Sequence, residues 1–97
     1  MAAYAYEAIT VADTAIGLTE ANIAMADTHY GRPVKKIMIT AETAEMRFCV
    51  DGTTPTTTVG HVLAADDILT LDGADARGFK AIRTGSTSGS IKVTYEV

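Results

Sequence analysis

Cysteine occurs once, at Cys49, tryptophan not at all, and proline only at Pro33 and Pro55 in a chain of 97 residues. A single thiol excludes an internal disulfide framework and any zinc site built on cysteine pairs. The two histidines, His29 and His61, stand alone in their segments, with no His-x-His or His-x-x-x-His spacing to pair them as metal ligands. Positive charge is scarce and scattered: eight Lys and Arg against twelve Asp and Glu leave a net charge of −4. Such a chain has no electrostatic attraction to a phosphate backbone, and nucleic acid is not expected as a partner. The one basic doublet, Lys35-Lys36, reads as the solvated start of a strand. No apolar run approaches the roughly 18–20 residues that span a bilayer. The first seven residues lack a basic segment followed by an apolar stretch, so no membrane partner and no leader-directed export are expected.

Against these absences stands a composition 47% hydrophobic and 21% charged, which is that of a chain that folds. Its length predicts one core, hence a single domain over residues 1–97.

Hydrophobic periodicity then sets the class. Ile91, Val93, Tyr95 and Val97 alternate with Lys92, Thr94 and Glu96, the period-two signature of a half-buried strand. The same alternation runs through residues 46–50, with Met46, Phe48 and Val50 inward, and stops at Asp51-Gly52. Further strands are predicted over residues 6–11, with Ile9 and Val11 on one face; 34–41, with Ile37 and Ile39 as core; 59–64; 68–71; and 79–83. Residues 51–58, broken by Gly52 and Pro55, read as a loop, and 85–89 as the turn into the last strand. Only residues 18–26 resist the scheme; Thr19 and Glu20 open at most one short helical turn carrying Ile23 and Met25. Seven or eight short strands with regular turn signals predict an all-β fold, an antiparallel β-sandwich or a jelly-roll-like small barrel.

Chemistry is hard to find in this pattern. The nearest approach to a nucleophile elbow, Gly85-Ser86-Thr87-Ser88-Gly89, centres on a threonine and leads into a strand instead of a helix. Cys49 with His29 or His61 offers a thiol and a base, but Cys49 falls in a strand, where an inert thiol is the plainer reading. Asp66, Asp67, Asp72 and Asp75 invite a calcium reading, yet counting twelve positions from Asp72 ends on Arg83 where a bidentate Glu is needed. Acids bracketing a short strand to discourage edge pairing account for them more simply. No catalytic residues, cofactor or metal are therefore expected, and the chain is read as non-enzymatic.

What is left is surface. Tyr4, Tyr6, Met25, Tyr30 and Met38 are the large residues least tied to the core pattern, and both residue types are favoured at interfaces. Residues 1–6, apolar and unpunctuated, form a candidate arm that adds to the sheet edge of a neighbouring subunit.

Two segments carry a resemblance. Residues 79–95 contain Phe79-Lys-Ala-Ile-Arg-Thr-Gly85 and, past a Ser/Thr/Gly turn, Val93-Thr-Tyr95; residues 43–61 contain Ala44, Arg47, Asp51-Gly-Thr53, Pro55-Thr56 and Gly60-His61 in a fixed spacing. Both are similar to segments of small virion accessory proteins of tailed bacteriophages, over about half the chain, while residues 1–42 match only loosely at Ile9-Thr-Val11 and Gly17-Leu-Thr19. The resemblance implies a capsid decoration (cement) protein on the virion surface, made in the bacterial cytoplasm and bound to the major capsid protein or another virion protein. It implies a homo-oligomer, a trimer first and a dimer second. The alternative is a tail- or fibre-associated carbohydrate- or receptor-binding β-sandwich module, which needs Tyr4, Tyr6 or Tyr30 exposed in one groove.

Overall fold

Two strands with strict period-two patterning, over residues 36–42 and 89–96, lie at the centre of one sheet. In the computed structural model, which describes residues 2–97, β8 (Gly89–Glu96) runs between β1 (Ala3–Val11) and β3 (Lys36–Glu42), and β6 (Ile68–Asp72) completes a four-stranded antiparallel sheet in the order β1-β8-β3-β6. Residues Ile91, Val93 and Tyr95 on β8, Ile37, Ile39 and Ala41 on β3, and Ile9 and Val11 on β1 all face inward and are buried. The second sheet has the order β2-β7-β4-β5, from β2 (Ile16–Gly17), β7 (Lys80–Arg83), β4 (Met46–Cys49) and β5 (His61–Leu63). It presents Met46, Phe48, Leu63 and Ala81 to the same apolar cluster, so two antiparallel sheets share one core, as the periodicity predicts.

The chain alternates between the sheets. Of the connections from β1 to β8, only β4 to β5 stays within one sheet. The Ser/Thr/Gly turn into β8, predicted over residues 85–89, accordingly carries the chain from one sheet to the other and does not close a hairpin.

Two further departures from the sequence reading have physical causes. Residues 18–26 hold more than one helical turn: α1 (Glu20–Tyr30) has eleven residues and ends at Gly31, whose φ of 67° is the left-handed conformation that glycine adopts without strain. Gly31 and Arg32 donate backbone N–H groups to the carbonyls of Asp27 and Ala26, closing the last turn. Its buried stripe is only Ile23 and Ala26, with Met25 half-buried, so the apolar face was too narrow to announce itself. A second short helix, α2 (Gly73–Ala76), follows β6 directly.

The proposed N-terminal arm is also corrected: residues 3–6 belong to β1 and pair with β8 of their own chain, and Ala2 and Val97 exchange backbone hydrogen bonds; Met1 lies outside the described residues. Glu7, Thr19, Asn22 and Tyr95 form a polar knot between the start of α1 and the sheet.

Candidate functional site

The five candidate contact residues divide between two places. A register shift between Ala3 and Ala5 leaves Tyr4 as the extra residue of a bulge. Tyr4 turns toward α1, donates its hydroxyl to the Asn22 carbonyl at 2.8 Å, and lies with its ring 5.5 Å from Tyr30 and 6.1 Å from Tyr95. Tyr30 is half-exposed at the end of α1, and Met25 on the same helix is half-buried. Tyr6 and Met38 instead stand on the outer face of the first sheet, 63% and 43% exposed. Tyr4, Tyr6 and Tyr30 therefore do not line one groove.

That outer face is ordered by register. Tyr6, Thr94, Met38 and Thr70 form one cross-strand row, and Ala8, Lys92, Thr40 and Ile68 the next. Ile68, 68% exposed, joins Tyr6 and Met38 as a third large apolar side chain in a field of threonines. It was missed as a contact residue, although Leu69 and Leu71 facing the core assign Ile68 and Thr70 to the opposite face by alternation. Exposed hydrophobic residues gathered in a patch mark interaction surfaces more often than the same residues scattered singly. Rows above and below carry both signs of charge: Glu96, Lys36 and Asp72 on one side, Thr10, Ser90 and Glu42 on the other. Lys92 pairs with Glu42 at 3.4 Å.

Polar chemistry concentrates at Glu7, which sequence reasoning did not single out. Its carboxylate accepts hydrogen bonds from the Tyr95 hydroxyl, the Thr19 hydroxyl and backbone N–H, and the Asn22 side-chain amide at 3.0 Å. Thr19 is the N-cap residue of α1 yet makes no side-chain cap bond of its own, because its hydroxyl is given to Glu7; the carboxylate sits where the helix dipole favours negative charge. Burial pushes the Glu7 carboxyl up, but the bonds from Thr19, Tyr95 and Asn22 outweigh it and hold it below its ordinary 4.5. Burial and the neighbouring Glu7 push the Tyr95 phenol far above its ordinary 10.0. Among the described residues no buried side-chain nitrogen or oxygen lacks a hydrogen-bond partner.

Arg47, projecting from the outer face of β4, donates Nε to the Thr57 carbonyl at 3.0 Å and Nη1 to the Gly60 carbonyl at 2.8 Å. It staples the loop that the sequence placed at residues 51–58, while Pro55 is buried. Arg47→Ala is expected to cost about 1–2 kcal/mol and to speed amide exchange at residues 57–60 without changing it in β8. Unaltered exchange in that loop would show that Arg47 does not hold it.

Cys49 and His61 line one shallow depression of about 230 Å³ together with Asp51 and Gly60. The thiol is buried and makes no hydrogen bond to the imidazole, which instead packs its ring 5.6 Å from Phe48, and Asp51 is engaged by the Thr53 backbone N–H. His29 lies far along the chain on exposed α1. Among the described residues no three His, Cys, Asp or Glu side chains are grouped to hold a metal ion. Of the four clustered acids, Asp67 accepts the Ala64 backbone N–H at 2.9 Å, and β6, which they bracket, is an edge strand. A larger depression of about 330 Å³ is lined by Arg32, Pro33, Val34, Lys35 and Val97, with no aromatic side chain. No helix among the described residues is long and apolar enough to cross a membrane.

Taken together, the class defined by these features is a small antiparallel two-sheet β-protein with a partly apolar, register-defined sheet face. Comparisons of the chain with models of protein families, with curated proteins and with solved structures return no match.

Proposed function

We propose that this chain is a non-enzymatic structural protein of a tailed bacteriophage, a capsid decoration protein that binds the assembled head as a small oligomer. The observation that supports this reading best is the outer face of the β1-β8-β3-β6 sheet, where Tyr6, Met38 and Ile68 are exposed among threonines and charges of both signs. Such a surface suits packing against another protein. The resemblance of residues 43–61 and 79–95 to virion accessory proteins supplies the biological setting. The major capsid protein, or another virion protein, is then the partner. A lattice that offers many equivalent sites multiplies contacts that are individually weak.

The test is cosedimentation of the purified protein with expanded capsids of the phage that encodes it. A decoration protein pellets with the capsids at a saturating, lattice-fixed stoichiometry. A protein that stays in the supernatant removes the head assignment and leaves the tail- or fibre-associated module.

A further inference from the structure

We infer that the depression between the end of β4 and the start of β5 is a weak binding site for a single neutral sugar ring, held by Asp51 and His61. It is independent of the outer face of the first sheet, and the chemistry of its walls selects the ligand.

The walls are fixed before any ligand arrives. Asp51 and His61 stand at the two ends of the segment that joins β4 to β5, and Arg47 ties that segment down through the carbonyls of Thr57 and Gly60. Pro55 within it is buried, and the Thr56 hydroxyl accepts the backbone N–H groups of Thr58, at 3.3 Å, and Val59, at 3.1 Å. Gly60 lies at a φ of 122°, where a side chain is strained, and a Cβ there would stand 3.0 Å from the Phe48 carbonyl oxygen. A loop ordered in this way loses little further freedom when a ligand binds.

Two polar side chains border the space. The Asp51 carboxylate is oriented by the Thr53 backbone N–H, which donates to Oδ1 at 3.0 Å. That bond first, and the Thr53 hydroxyl after it, hold the carboxyl below its ordinary 3.8; it is ionised at neutral pH and, being exposed, keeps lone pairs for further donors. His61 makes no hydrogen bond among the described residues. Its ring is positioned by packing on Phe48 at 5.6 Å, and its nitrogens are left to donate and to accept. Buried Cys49 and half-buried Val50 give the lining its apolar part.

Other classes of ligand meet an obstacle. No Lys or Arg lines the depression, and Asp51 repels an anion. An organic cation finds one exposed carboxylate already bonded by Thr53, a contact worth little in water. Among the described residues no three His, Cys, Asp or Glu side chains are grouped for a metal ion. About 230 Å³ is below the roughly 300–1,000 Å³ of pockets that enclose drug-sized apolar molecules. A sugar ring suits what remains: its hydroxyls donate to Asp51 and accept from His61, and its C–H face covers Cys49 and Val50. One ring on a shallow surface predicts a Kd on the order of 1–10 mM.

The test is a titration of the isotope-labelled full chain, followed by its amide shifts, with methyl β-glucoside, methyl β-galactoside, methyl α-mannoside and N-acetylglucosamine, each to about 100 mM. At least one is expected to move the amides of residues 50–53 and 60–61 to saturation and to leave those of Tyr6, Met38 and Ile68 in place. Asp51→Asn, which keeps the shape and the Thr53 bond, and His61→Ala, at an exposed position, are each expected to weaken that binding at least about fivefold with the circular dichroism unchanged. The inference is overturned if none of the four sugars moves these amides, if the shifts scatter over the surface without saturating, or if both variants bind as the wild type does. Zinc moving the same amides where no sugar does also overturns it, in favour of a metal site. Asp51→Asn is expected to cosediment with capsids as the wild type does. Failure of the wild type to bind capsids therefore sinks the decoration role and leaves this site standing, and failure of the sugar titration does the opposite.

Discussion

Gly73→Ala is expected to cost about 3–5 kcal/mol, a large part of the roughly 5–15 kcal/mol available to a domain of this kind. A Cβ added at Gly73 would lie 1.7 Å from the Val34 carbonyl oxygen and 2.6 Å from its carbon, both backbone atoms. Neither can rotate away as a side chain would. The Gly73 backbone N–H also donates to the Lys35 carbonyl at 2.8 Å, so α2 is bonded to the very segment it would have to leave. Relief requires moving α2, β6 or the approach to β3, and each shift disturbs a buried wall that includes Ala76 and Val34. Thermal unfolding followed by circular dichroism should show a midpoint lowered by roughly 15–30 °C. Gly85→Ala is the control: nothing lies within 4 Å of the added atom, so its melting should stay within a few degrees of the wild type. A Gly73→Ala protein that melts like the control would disprove the close approach.

The second large effect belongs to Glu7. Glu7→Ala removes the acceptor of the Tyr95 hydroxyl while the tyrosine itself remains wholly buried. It also frees the Thr19 and Asn22 donors that fasten the start of α1 to β1. A stranded buried hydroxyl and the lost charge-assisted bonds together predict a loss of about 2–4 kcal/mol. Tyr95→Phe on that background is expected to recover part of it, because the hydroxyl that lacks an acceptor is gone; a double-mutant cycle should give a coupling of about 1–2 kcal/mol. Additive losses would mean that the two groups do not interact.

The same pair sets the response to pH. The folded carboxyl of Glu7 titrates below its unfolded value of 4.5, so its contribution is complete above that value and is lost as pH falls through the depressed folded one. The folded Tyr95 phenol titrates above its unfolded 10.0, so its contribution is complete below 10 and declines as pH rises beyond it. Stability from these two groups is accordingly flat between them. Glu7→Gln, which keeps the shape and loses the charge, should flatten the acid limb in chemical denaturation series below pH 4.5; an unchanged acid limb would assign it to other carboxylates.

The strands β3 and β8 were the most legible because their burial follows period two without interruption. Ile91, Val93 and Tyr95 face the core in the structure as their spacing requires, and Ile37 with Ile39 and Met46 with Phe48 do likewise. Val50, expected inward, is only half-buried because β4 ends at Cys49 and the chain there turns into the Arg47-held loop. The extent of α1 was not legible, since an alanine-rich helix with two buried residues has almost no amphipathic signal, and its N-terminus is anchored by a glutamate on another strand. Of the contact residues, Tyr6 and Met38 could be found by their alternation with core neighbours. Tyr4 could not, because a bulge inverts its side, and a bulge in β1 is a property of pairing with β8 at the far end of the chain. The face itself, as a set of rows, exists only through register between strands distant in sequence.

The passage of the chain back and forth between the two sheets determines how the molecule can come apart. A sandwich whose sheets are formed by successive hairpins can lose one layer while the other persists. Here the first sheet is assembled from strands that enter from the second, and β8, the last of the eight in chain order, fills the gap between β1 and β3. Until it does, β1 has no partner in its sheet and Glu7 no Tyr95 to receive. Closing contacts across nearly the whole chain makes folding slow relative to helical domains of this length. Because β8 is held on both sides, by β1 and by β3, amide protection in these three strands is expected to be lost together and not strand by strand.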